Sequence, residues 1–121
     1  MLKKDLTLLK TIRIMPSKRS PQKRSLHDSV VRRLARSLKA KYPKSKVYAD
    51  VQGFPTPDKI GQHIPDIWVK HQNGRELIIE VETEDTINTA HAKSQARSFR
   101  GYANLNAPRV GFEVVLAEKY L

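Results

Sequence analysis

The chain has 121 residues, with 23 Lys or Arg against 12 Asp or Glu and a formal net charge of +11. That length supports one hydrophobic core and no second domain. With no cysteine, a disulfide framework and a thiolate metal site are both excluded, and no apolar run reaches the length of a membrane span.

The first residues lack the apolar core of a secretory signal, so a cytoplasmic (intracellular) protein is expected. The charge is uneven. Residues 1–46 carry 15 Lys or Arg against Asp5 and Asp28, a net of +13, whereas the rest carries 8 against 10, a net of −2. Such asymmetry favours a polyanionic partner, nucleic acid first and an anionic membrane surface second.

In chain order, residues 6–14 read equally as a strand or a short helix. Residues 16–24 are proline-broken, basic and polar, which suggests a basic N-terminal arm over residues 1–24, able to lie along a phosphate backbone, ahead of a domain spanning 25–121. Ser25 or Asp28 can cap a helix running to about Lys41, because Leu26, Val30, Leu34 and Leu38 recur every four residues beside Val31 and Ala35. Pro43 closes it.

Residues 46–51 read as a strand, and residues 52–63 as a loop too long for a simple hairpin. Strands over about 65–70 and 76–83 flank an Asn73-Gly74 turn, a strong hairpin signal. Thr86 or Asn88 can cap a second helix through about Arg100, ended by Gly101. A last strand spans about 109–116.

The second and third strands carry the chemistry. Asp66 precedes an apolar run, and Glu80 and Glu82 must share one face of their strand, since strand side chains alternate. Three carboxylates in strands that otherwise read as buried are costly unless something pairs with them. A divalent cation resolves that cost. Magnesium typically takes one or two protein carboxylates and keeps several waters, and the main-chain carbonyl of Val81 is available as a further oxygen ligand. Edge-strand acids facing water are the bland alternative.

Pro65-Asp66, then Glu80-Val81-Glu82, within an α-β-β-β-α-β order, resembles the PD-(D/E)xK nuclease superfamily over roughly residues 25–116. The resemblance implies a restriction-endonuclease-like α/β core, a central mixed β-sheet flanked by helices. It implies Mg²⁺- or Mn²⁺-dependent DNA cleavage, with Asp66 and Glu80 on the metal-binding acids. The chain departs from the pattern at Glu82, where the family has lysine, so mechanism is the open question. A Gln or Lys on the second helix often points into such a site, which makes Gln95 the candidate for orienting water or phosphate.

Further candidates are His91 on the same helical face as Gln95, Ser98 and Tyr102, together with Asp28 (His27 beside it) and Asp50. Lys93 lies about 160° around the helix from Gln95 and is expected to face elsewhere. Trp68 and Phe112 read as core. Lys18, Arg19, Lys23, Arg24, Arg32, Arg33 and Arg36 are expected to neutralise the DNA backbone without reading sequence. The expectation is therefore a metal-dependent DNA endonuclease, acting as a homodimer if it cuts both strands. A catalytically inactive nucleic-acid-binding module of the same fold is the alternative, and an assembly protein that docks through its basic segment comes third.

Overall fold

The computed structural model describes residues 19–121, so Lys18 and the ambiguous segment 6–14 lie outside the described residues. The first helix, α1 (Pro21–Lys41), starts ahead of the expected Ser25 or Asp28 cap. Ser20 Oγ accepts the Lys23 N–H at 3.2 Å and Pro21 occupies the first turn, where its missing N–H costs nothing. Lys23 and Arg24 are therefore helical residues and not part of an arm.

Four strands follow in the expected positions: β1 (Lys46–Ala49), β2 (Ile67–Lys70), β3 (Glu76–Glu82) and, after α2 (Ala90–Leu105), β4 (Val110–Leu116). They form one mixed sheet in the order β1-β2-β3-β4. β1–β2 and β2–β3 pair antiparallel and β3–β4 parallel, so the chain crosses from β3 to β4 through α2. Gly74, at φ 91°, makes the β2–β3 turn that a side chain would strain.

Alternation along the strands separates two cores. Val47, Ala49, Ile67, Val69, Ile79 and Val81 face α1 and meet Val30, Val31 and Ala35. On the other face, Trp68, Ile78 and Val110 meet Phe99 and Ala103 of α2, with Ile60 from the long loop. The result is a mixed α/β architecture with one helix on each side of the sheet. Each fully buried large apolar side chain, such as Phe99, Ile67 or Ile78, contributes roughly 1.5–3 kcal/mol. Trp68 is buried in this core, as expected.

The second helix differs from expectation at both ends. Thr89, not Thr86 or Asn88, is its cap, accepting the Ala92 N–H at 3.1 Å. Gly101 does not end it. Tyr102 packs edge-on to Trp68 and Ala103 buries against the sheet, which holds the helix through the glycine to Leu105. Glycine costs about 1 kcal/mol in a helix interior, less than that packing provides.

Candidate active site

Asp66 lies one residue before the Ile67–Ile79 pair, which brings it beside Glu80 across the β2–β3 ladder. The two are tied through the backbone: the Asp66 N–H donates to Glu80 Oε1 at 2.8 Å, and the Val81 N–H donates to Asp66 Oδ2 at 2.8 Å. Glu80 is 3 % and Glu82 4 % exposed, and both project to the α2 side because they share parity with Ile78. These acids are not solvated edge residues.

Asp66, Glu80 and Glu82 line one cavity of about 320 Å³, together with Arg19, Arg24, His27, Thr86, Thr89, His91 and Gln95. Gln95 and His91 thus share this lining with the acids, and the His91 ring meets His63 edge-on at 5.9 Å. The face turns away from the cavity further along: Ser98 adjoins Gly61, and the Tyr102 hydroxyl donates to Glu76.

Two cations that the sequence reading did not place in the site sit among the acids. Arg19 Nη2 donates to Glu82 Oε1 and to the Val81 carbonyl oxygen, each at 3.2 Å, and Nε donates to Thr83 Oγ1 at 3.1 Å. Nothing local signals this contact, since α1, β1 and β2 intervene between Arg19 and β3 in sequence. His27 Nε2 lies 3.2 Å from Asp66 Oδ2 and its Nδ1 2.8 Å from Asp28 Oδ1. Each ring nitrogen faces a carboxylate oxygen, so both are satisfied only when both carry a proton. Burial opposes the charged imidazole, yet the bonds to Asp66 and Asp28 outweigh it and raise its pKa. A polar residue on the apolar stripe of α1 was the readable sign of His27.

Electrostatically the site sets Asp66, Glu80 and Glu82 against Arg19, Arg24 and His27. Burial pushes the Glu80 carboxyl well above its usual range, and the neighbouring Asp66 and Glu82 push it further. Glu82 is also raised by burial, with the Thr86 hydroxyl bond (2.8 Å) and Arg19 partly offsetting it.

The remaining candidates fall elsewhere. Asp28 is half-exposed and reaches the site only through His27, and Asp50 is exposed and outside the cavity lining, although its N–H donates to Asp66 O at 2.9 Å. Arg32, Arg33 and Arg36 line a separate surface groove with Ser29 and Ser37, and Arg33 also donates to Tyr120 O. Lys23 pairs with Glu118 and Glu84. Lys93, expected to face elsewhere than Gln95, lines a different cavity, of about 250 Å³, that shares Glu80, Glu82 and Ala92 with the first. Glu80 and Glu82 are therefore flanked from two sides.

The donor set suits a hard divalent cation. Among the described residues no donor reaches Asp66 Oδ1 or Glu80 Oε2, and the Val81 carbonyl adds a third hard oxygen. No three His, Cys, Asp or Glu side chains among the described residues converge on one ion position, and Glu82 is bonded to Arg19 and Thr86. Two carboxylates and a carbonyl remain within what magnesium accepts when waters complete its shell.

Comparisons of the chain with known protein families, with curated proteins and with solved structures return no match. Among the described residues no helix is long and apolar enough to cross a membrane.

Proposed function

We propose that the chain is a divalent-metal-dependent DNA endonuclease of the restriction-endonuclease-like fold. The observation that carries this reading is the buried pairing of Asp66 with Glu80 at one end of the sheet, in a cavity also lined by Arg19, Arg24 and Gln95. Buried acids held side by side need a countercharge, and the cationic lining suits a phosphodiester.

Asp66, Glu80 and the Val81 carbonyl would hold Mg²⁺ or Mn²⁺, with Glu82 as a further ligand once turned inward. Such an ion supplies Lewis acidity and a water of lowered pKa. Arg24, in the cavity lining, pairs with a substrate phosphate. The Gln95 amide orients the attacking water, and His27, held by Asp28, fixes the Asp66 carboxylate. Glu82, in place of a lysine, can accept a proton from that water. Arg32, Arg33 and Arg36 neutralise flanking phosphates from their own groove. A domain of this size cuts two strands most simply as a homodimer.

The test is a cleavage matrix of Mg²⁺ and Mn²⁺ against single-stranded, duplex, flap and four-way-junction DNA. Asp66→Asn and Glu80→Ala should lower the cleavage rate by ~100-fold or more, since several kcal/mol of charge stabilisation is lost, while DNA affinity holds or rises. Wild-type protein that leaves every substrate uncut with both metals refutes the enzyme and leaves the inactive DNA-binding module.

A further inference from the structure

Arg19 sits on two of the oxygen atoms that the proposed metal platform offers. Its Nη2 donates to both the Val81 carbonyl and Glu82 Oε1. A guanidinium there and a metal ion ligated by the same oxygens compete for the same electron pairs and repel each other.

All three Arg19 bonds measure 3.1–3.2 Å, at the long end of the ordinary range. The Arg19 side chain is 21 % exposed where that of Glu82 is 6 %, so the arginine has the freer path to solvent, and its departure leaves Glu82 bonded to Thr86 and able to turn toward the platform.

Resting on the metal-platform reading above, we infer that Arg19 is the site's exchangeable counter-ion. It neutralises Glu82 in the metal-free protein, yields to a divalent cation, and is then available to a substrate phosphate. Metal and polyanion binding are in consequence coupled through this side chain, and the coupling is reciprocal.

The experiment titrates Mn²⁺ into wild-type protein and Arg19→Ala, with free Mn²⁺ followed by electron paramagnetic resonance. Loss of the competitor should tighten Mn²⁺ binding roughly tenfold, about 1.4 kcal/mol. If Arg19→Ala does not fold, Arg19→Gln, which retains a donor for the Val81 carbonyl but no charge, takes its place with the same expectation. Lys44→Ala, which removes one charge on an exposed residue outside the cavity lining, should leave Mn²⁺ affinity unchanged.

Mn²⁺ should also raise wild-type affinity for a phosphorothioate duplex, and the Arg19 variant should lose most of that gain. Unchanged or weaker Mn²⁺ binding in the Arg19 variant overturns the inference, as does equal tightening by Lys44→Ala or no Mn²⁺ uptake by any of the proteins. Tighter Mn²⁺ binding in a protein that cuts no DNA supports the counter-ion and refutes only the nuclease.

Discussion

Glu76 shares a face of β3 with Glu80 and Glu82, yet its carboxylate is occupied by structure. It accepts from Trp68 Nε1 at 2.8 Å, from the Tyr102 hydroxyl at 3.1 Å and from Arg109 Nη1 at 2.7 Å. Arg109 is 45 % exposed, so that pair adds little. The bond from the buried Trp68 indole matters more, because removing its acceptor strands a donor. Burial opposes ionisation of Glu76, but the bonds from Trp68, Arg109 and Tyr102 outweigh it and lower the pKa below 4.5. A lowered pKa means that the contribution is present above the unfolded value and lost as pH falls through the folded one. Glu76→Ala should therefore destabilise the protein by about 2 kcal/mol near neutrality. In denaturant titrations, its deficit against wild type should shrink below pH 4.5; a pH-independent deficit would mean that packing, not the charged bonds, carries the effect.

Among the elements, α2 is the one whose local sequence and final form disagree most. It positions His91 and Gln95 beside the acids near its start and packs Tyr102 and Ala103 against the sheet near its end. Gly101 lies inside it without a positive φ, and a β-carbon there would meet nothing within 4 Å. Gly101→Ala should accordingly raise stability by roughly 0.5–1 kcal/mol, read as an increase in melting temperature. A loss of stability would show that the helix needs the glycine to bend. At the other helix, the Ser20-Pro21 pair was a legible start signal. The basic composition around it suggests an arm, but the capping serine and the proline set the start of the helix.

For the whole molecule, the fold divides the positive charge by location. Arg19 and Arg24 line the cavity, Lys23 is neutralised by Glu118 and Glu84, and Arg32, Arg33 and Arg36 share their own groove. If each of those three meets one phosphate, replacing them all by Ala should flatten the slope of log affinity against log salt by roughly 2.7, about 0.9 per contact. An unchanged slope would place that groove in solvent when DNA is bound. A deletion meant to remove only a flanking segment should stop at Lys18, because Ser20 caps α1 and Arg19 enters the acid cluster.

By itself the sequence determined the element order, the hairpin at Asn73-Gly74, the apolar stripe of α1 and the shared face of Glu80 and Glu82. All four follow from periodicity and turn chemistry acting over a few residues. Only the tertiary structure decided which charges meet. Arg19 reaches Glu82 and His27 reaches Asp66 because α1 lies across the sheet, and Lys93 flanks the carboxylates because the crossover through α2 lays that helix over β3 and β4. Those pairings depend on how separate elements pack, and no local pattern encodes such distances. The cation that reaches Glu82 is Arg19, supplied by a segment far from β3 in sequence.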